Sequence, residues 1–314
     1  MVRALVTGGA GFIGSHVVRC LRERGHEVTI FDNLSHARCQ WRETLPLGTR
    51  CHFVQGDLMD FAAVLDVMQG MQLVVHLAAN SDIAQGSNQT DLDLRQGTLT
   101  TYHVLEAMRQ QGVSELIFAS TSAVYGEATP KPTCERDGPL FPISLYGASK
   151  LAGEGLISAF AHNYALRAWI YRFGNVVGLG ATHGVIVDFI RKLRHNPRQL
   201  TILGDGKQSK PYIHVLDCVD GMLWGYHQAD EPLNCFNLSS AGTTSVDRIA
   251  DIVVAAMGLN GVTYTYTGGA RGWPGDVFDV RLDPGKFAAL GWEARFTSDE
   301  AVRKATQAIV VQQP

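Results

Sequence analysis

The 314 residues suffice for one large α/β domain or two smaller ones, and a chain this long buries roughly three-quarters of its unfolded surface on folding. Hydrophobic residues make up 46% and charged residues 18%, which argues against a disordered or collagen-like chain. The 27 Lys and Arg against 30 Asp and Glu leave a formal charge of −3, too near neutral for nucleic acid or an anionic membrane to be the main partner. No apolar run reaches the ~18 residues of a membrane span. The opening Met1-Val2-Arg3-Ala4-Leu5-Val6-Thr7 turns to glycine too early for a signal peptide, so the expected location is cytoplasmic. The six cysteines lie far apart, with no CxxC pair and no His cluster at zinc spacing; reduced thiols and no metal are expected.

In chain order, Ala4-Leu5-Val6 is a short apolar run followed by Gly8, Gly9, Gly11 and Gly14. From Phe12 to Arg24 the apolar residues recur at helical spacing, and Gly25 stops them. Val28-Thr29-Ile30-Phe31 reads as a second strand, closed by Asp32. Then come His52-Phe53-Val54, Leu73-Val74-Val75-His76-Leu77 and Leu116-Ile117-Phe118-Ala119, with helical stretches over 60–69 and 98–111. Continuous apolar runs mark strands buried on both faces, as in parallel sheets. The β–α alternation predicts an α/β fold with a Rossmann-type, doubly wound parallel sheet. After about Phe173 glycine and proline become frequent, and helices are predicted near 184–194, 216–228, 245–257 and 298–310. The expected division is a sheet domain over 1–173, with a return segment near 212–238, and a smaller α/β domain in the remainder of 174–314. Tyr212-Ile213-His214-Val215 is a candidate strand of the first sheet.

The segment Gly8-Gly9-Ala10-Gly11-Phe12-Ile13-Gly14 follows a strand and opens a helix. Glycines there let the backbone turn tightly and approach a pyrophosphate, and the helix N-terminus supplies free N–H groups and positive dipole. Asp32, at the end of the second strand, is placed to accept hydrogen bonds from ribose hydroxyls and to repel a 2′-phosphate. NAD is therefore expected rather than NADP. Asp57 follows the third strand and reads equally as an adenine contact or a helix N-cap.

Tyr146-Gly147-Ala148-Ser149-Lys150 puts Tyr and Lys four residues apart, on one face of a helix. A tyrosine is a useless base at its free pKa of ~10. A lysine charge ~4 Å away at effective dielectric ~20 is worth about 4 kcal/mol, enough to move that pKa about three units down. Thr121, after a strand in Ser120-Thr121-Ser122-Ala123-Val124-Tyr125-Gly126, is placed to hold a substrate hydroxyl against Tyr146.

With these residues the chain resembles the extended short-chain dehydrogenases/reductases, and within them the NAD-dependent nucleotide-sugar epimerases and dehydratases. The carrying segments are Thr7 to His16, Asp32-Asn33-Leu34, His76-Leu77-Ala78-Ala79, Ser120 to Gly126 and Tyr146 to Lys150. Arg172-Phe173-Gly174-Asn175-Val176-Val177-Gly178 resembles the family's R-x-x-N-x-x-G, and Gly204-Asp205-Gly206 with Tyr212 to Asp217 also matches. The resemblance implies Thr121, Tyr146 and Lys150 as the catalytic set. It implies NAD held by Gly8, Gly11, Phe12, Ile13, Gly14, Asp32, Asn33, Asp57, Leu58, Leu77, Ala78 and Ala79, with Tyr146 and Lys150. It implies a nucleoside-diphosphate sugar held by Thr121, Ser122, Asn175, Lys210 and Arg271, and a homodimer built through helices near 98–111 and 145–163.

The chain also departs from the family. Lys210-Pro211 stands where Arg-Asp is common, giving charge without a bidentate fork. The family's R-P-G-D is stretched into Arg271-Gly272-Trp273-Pro274-Gly275-Asp276, and a structural salt bridge rivals a phosphate contact for Arg271. The usual asparagine before Gly97-Thr98 is missing, with Leu94 or Gln96 near its place. His76 reads as a core or loop-anchoring histidine, Asp82 as a helix cap or sugar contact, His183 as a loop histidine facing substrate or solvent. Trp273 and Trp292 read as core fillers.

The expected reaction is C4 epimerisation of a UDP-glucose/UDP-galactose type substrate through a 4-keto sugar. A 4,6-dehydratase or uronate decarboxylase is the alternative, or a net NAD-linked oxidoreductase. The dehydratases of this family resemble T-D-E-V-Y-G and the decarboxylases T-S-E-V-Y-G, whereas Ser122 and Ala123 carry no carboxylate.

Overall fold

The computed structural model describes residues 1–35, 45–80, 83–127, 132–273 and 275–312. Seven parallel strands form the central sheet: β1 (Arg3–Thr7), β2 (Glu27–Asp32), β3 (Cys51–Gln55), β4 (Leu73–His76), β5 (Glu115–Thr121), β6 (Arg167–Phe173) and β7 (Leu233–Leu238). Their order across the sheet is β7-β6-β5-β4-β1-β2-β3. Successive side chains serve opposite faces. Ala4 and Val6 of β1 pack with Val17, Val18 and Leu21 of the helix Phe12–Glu23 and with Met222 and Leu223 of the helix Val215–Gln228. Leu5 between them joins the other face, with Met68, Val104, Met108 and Ile157. Those four come from the helices Phe61–Met68, Thr100–Gln111 and Leu145–Tyr164. Each face is thus covered by helices, and the inner strands are buried for most of their length for that reason, whereas the edge strand β3 is exposed at His52, Val54 and Gln55.

The segment Tyr212–His214 does not enter this sheet, contrary to the expectation for Tyr212-Ile213-His214-Val215. It pairs in parallel with Asn175–Val177 as a separate two-stranded ribbon. The free edge of β6 is taken instead by β7, in register from Leu233↔Ala168 to Leu238↔Phe173. The C-terminal part has its own core. Ile186, Phe189 and Ile190 of the helix Val185–His195 meet Ile249 and Val253 of Val246–Ala256, and Val302 and Ala305 of Ser298–Gln312. Among the described residues, no helix is long and apolar enough to cross a membrane.

Parallel strands all end on one edge. Thr7, Asp32, His76 and Thr121 are the last residues of β1, β2, β4 and β5, so they share that edge, where open α/β sheets place their ligands.

Candidate active site

The glycine loop is built for close approach. Gly8 has φ +70°, and a Cβ there would lie 2.8 Å from the Ala78 amide nitrogen. A Cβ on Gly14 would lie 2.1 Å from the Gly8 carbonyl oxygen, so the helix Phe12–Glu23 starts against the loop only because residue 14 has no side chain. Gly11 caps that helix without a side-chain hydrogen bond. The first amides, at Phe12, Ile13 and Gly14, follow that bare cap and give an anion its ready-made donors. These features fit a dinucleotide pyrophosphate: a cradle that any Cβ would fill, and uncapped amides.

Asp32 does more in this loop than face outwards. Its Oδ2 accepts from the Ala10 amide at 3.0 Å and its Oδ1 from the Leu34 amide at 2.8 Å, so the carboxylate ties the glycine loop to the end of β2. Asn33 donates to Asp57 Oδ2 at 3.0 Å, and Asp57 Oδ1 accepts from the Met59 amide. Asp57 is therefore not the helix cap: Asp60 is, its side chain accepting from the Ala63 amide. Leu58 is buried. Leu77, Ala78 and Ala79 are half-buried beyond β4, and the Leu77 amide donates to the Thr7 carbonyl.

The tyrosine helix is placed by a cap. Ser144 Oγ accepts from the Gly147 amide at 3.0 Å, which starts Leu145–Tyr164 one residue before Tyr146. The turn Ser122–Tyr125 packs directly on it: a Cβ on Gly147 would lie 2.7 Å from the Ala123 carbonyl oxygen. Thr121 stands beside the Tyr146 phenol, and its Oγ1 accepts from the Ala123 amide at 3.1 Å. Lys150, buried, donates from Nζ to the Ala119 carbonyl at 2.8 Å and lies 6.0 Å from the Tyr146 ring centroid. Thr121, Tyr146 and Lys150 are thus brought together, with Ser122 beside them.

The electrostatics differ from the expectation for the pair. Burial, with the charge of Asp93, pushes the phenol of Tyr146 up to about 12, and the neighbouring Thr121 only partly offsets this. Lys150 directs its ammonium to the Ala119 carbonyl rather than to the phenol. Burial pulls its pKa from 10.5 to about 8, against the charges of Glu154 and Asp93.

Around this centre lie groups that sequence reasoning missed. Glu154, one turn beyond Lys150, holds Arg172 in a buried ion pair at 2.6 Å, and Arg172 Nη1 donates to the Tyr125 hydroxyl. Spacing of four from Lys150 was the available signal. Asp93, also buried, accepts from Asn80 Nδ2 at 3.0 Å. It precedes the wide π turns of Leu94–Leu99, whereas Leu94 itself is 59% exposed and Gln96 half-buried.

His76 anchors rather than reacts. Its Nδ1 bonds Thr7 Oγ1 at 2.7 Å and its Nε2 bonds Thr101 Oγ1, and burial drives its pKa to about 3, with Lys150 adding to the effect. Asn175 hydrogen-bonds the Tyr212 phenol. Lys210 pairs with the buried Asp276, and Arg271 with Glu127, so both expected phosphate ligands are held by carboxylates here. Trp292 fills the core against Phe287. Trp273 does not: it lies under Lys210, whose Nζ is 5.3 Å from the ring centroid, and its Nε1 has no hydrogen-bond partner among the described residues. His183 is exposed, and Asp82 lies outside the described residues. Among the described residues, no group of three or more His, Cys, Asp or Glu is placed to hold a metal ion.

UDP-sugar 4-epimerases are among the proteins this chain is similar to. A UDP-glucose 4-epimerase of Corynebacterium glutamicum is 31% identical over 80% of this chain and 79% of its own length. The crystal structure of a UDP-galactose 4-epimerase superposes with a TM-score of 0.90 at 36% identity, covering 99% of this chain and all of that one. The Thermus thermophilus UDP-glucose 4-epimerase in complex with NAD gives 0.87 at 32% identity, over 98% of each chain. Residues 4–257 match the model of the NAD dependent epimerase/dehydratase family, and the chain belongs to that family.

Proposed function

We propose that this protein is an NAD-dependent epimerase that inverts C4 of a nucleoside-diphosphate sugar of the UDP-glucose/UDP-galactose type. The observation that carries the reading is the placing of Thr121 beside the Tyr146 phenol at the ligand edge of the sheet, with Lys150 one helical turn on and no carboxylate in the turn Ser122–Tyr125 that packs on the tyrosine helix. The names of the similar proteins support the same substrate class.

NAD, held by the Gly8–Gly14 loop, Asp32 and the residues after β4, supplies a reversible hydride acceptor that is regenerated within each turnover. The chain's own residues do the rest. Tyr146 Oη takes the proton of the 4-hydroxyl and later returns it. Thr121 Oγ1, beside the phenol, orients that hydroxyl. The Lys150 ammonium opposes the cost of a negative phenolate in a buried site. Asn175 and Ser122 line the sugar-nucleotide side. Lys210 and Arg271 exchange Asp276 and Glu127 for the diphosphate. A dehydratase must also take a proton from C5 and protonate the C6 hydroxyl, and the carboxylate-free turn supports epimerisation over that course.

The dinucleotide side is residues 1–173 with the returning β7, and the substrate side is the remainder. Exposed Tyr102 and Tyr164, on the helices Thr100–Gln111 and Leu145–Tyr164, support a homodimer formed through those helices. To test the function, denatured protein is assayed for released NAD, and native protein is mixed with a panel of nucleotide sugars whose products are read by NMR. The 4-epimer of at least one hexose, or of its N-acetyl or uronate relative, is expected. Loss of water or CO₂ as the main course, or net oxidation alone, would overturn the reading.

A further inference from the structure

Asp93 stands at the entry to the π turns of Leu94–Leu99 and is 2% exposed. Gly97 lies flat against the tyrosine helix: a Cβ there would sit 2.5 Å from Ser149 Oγ, and Thr98 Oγ1 donates to the Ser149 carbonyl. The i→i+5 turns of a π helix bring residues four to five apart onto one face, so Asp93 shares the face that Gly97 presses on the Tyr146–Lys150 stretch. Its Oδ1 accepts from Asn80 Nδ2 beyond β4. Among the described residues its Oδ2 has no hydrogen-bond partner, and it packs where a side chain on Gly86 would stand, 2.1 Å from that Cβ position.

Burial raises the pKa of this carboxyl; the Asn80 hydrogen bond and the charge of Lys150 oppose that rise, and the carboxylate in turn opposes ionisation of Tyr146. Behind Lys150, His76 is held neutral by burial, and Glu154 is already matched by Arg172. Asp91, on the same segment as Asp93, is exposed and pairs with Arg95.

We propose that Asp93 is a positioning residue of the reaction: a buried carboxylate that serves, with Glu154, as counter-ion to Lys150 and so helps set the pH range in which Lys150 is charged beside Tyr146. The proposal rests on the reading of Tyr146 and Lys150 as the reacting pair. Glu154 is the larger of the two opposing charges even with Arg172 paired to it, and Asp93 adds to it from a separate element. The negative charge of Asp93 favours the protonated form of both Lys150 and Tyr146. Removing it lowers both titrations together, which moves the two limbs of a bell-shaped pH–rate profile the same way.

The test titrates Lys150 directly, without substrate, by carbon NMR of the lysine ε-carbons assigned with Lys150→Met. Asp93→Asn keeps the shape and still accepts from Asn80. The wild-type midpoint is expected near the structural value of about 8. The Asp93→Asn midpoint is expected about one unit lower, the common scale for loss of a nearby opposite charge. Asn80→Ala removes the donor that favours an ionised Asp93, so its midpoint also falls; it carries the test if Asp93→Asn fails to fold. Asp91→Asn is expected to leave the midpoint in place. With substrate, the kcat profile of Asp93→Asn moves to lower pH as a whole. An unmoved Lys150 midpoint in folded Asp93→Asn would overturn the proposal. A moved midpoint in a protein that turns over no nucleotide sugar would overturn the proposed function and leave the charge coupling standing.

Discussion

Replacing Lys150 with Met is expected to stabilise the fold at neutral pH while abolishing turnover. Lys150 is 3% exposed, and burial holds its pKa near 8 against an ordinary 10.5. Between those values the unfolded chain keeps a proton that the folded chain has released. Wild-type stability therefore rises with pH across that window, the penalty being complete below about 8 and gone above about 10.5. At about 1.4 kcal/mol per unit, charging this group costs folding roughly 3 kcal/mol at pH 7. Met removes that cost. It also deprives the Ala119 carbonyl of its Lys donor, worth about 1 kcal/mol, and changes the packing by less than about 1.5 kcal/mol. Glu154 retains Arg172 and Asp93 retains its Asn80 donor, and the attraction to Lys150 that both lose is already counted in the net penalty. The variant should be more stable than wild type by about 1 kcal/mol or somewhat more at pH 7, and no more stable than wild type above pH ~10.5. Urea unfolding of both proteins at pH 7 and at high pH reads the difference, and groups other than Lys150 cancel in it. A stability difference that does not change with pH would refute the reasoning.

Tyr146→Phe keeps the ring and removes the phenol; turnover should fall ~10² or more, the scale for losing a positioned base, while NAD still binds. Near-normal kcat would remove Tyr146 from its role. Gly14→Ala drives a methyl to 2.1 Å from the Gly8 carbonyl, and backbone on both sides cannot yield. NAD affinity, measured by calorimetry on stripped protein, should drop at least ~10-fold, the equivalent of about 1.4 kcal/mol of strain. Asp32→Ala releases both the Ala10 and Leu34 amides and the repulsion toward a 2′-phosphate. The ratio of NAD to NADP affinity should fall towards one, and an unchanged ratio would mean that Asp32 does not face the ribose.

The fold was legible because its inner strands are buried on both faces. Runs such as Leu73-Val74-Val75-His76 carry no polar face, and that pattern alone places them in a parallel sheet. The glycine loop and the Tyr146–Lys150 pair were legible because each depends on local geometry, a tight turn and one helical turn. The site's electrostatics were not. Lys210 meets Asp276 across 66 residues and Arg271 meets Glu127 across 144, pairings that no local pattern encodes. Asp93 escaped because α-helical counting back from Gly97 points to Leu94, and the π turns shift the register onto the preceding residue. The phenol's pKa moved up rather than down because burial competes with the lysine, and burial is set by packing that the spacing of two residues does not describe. The segment Tyr212–His214 resembles a sheet strand in composition, yet β7 outcompetes it with six paired positions along β6.

The central claim is transient oxidation at C4 with return of the same hydride. A UDP-hexose carrying deuterium at C4 tests it most directly, with the product examined by proton NMR and mass spectrometry in ordinary water. The account predicts a 4-epimer that retains the label at C4, with none lost to solvent and none moved to C6. Label washed out to solvent, or transferred to C6 with loss of water, would contradict it.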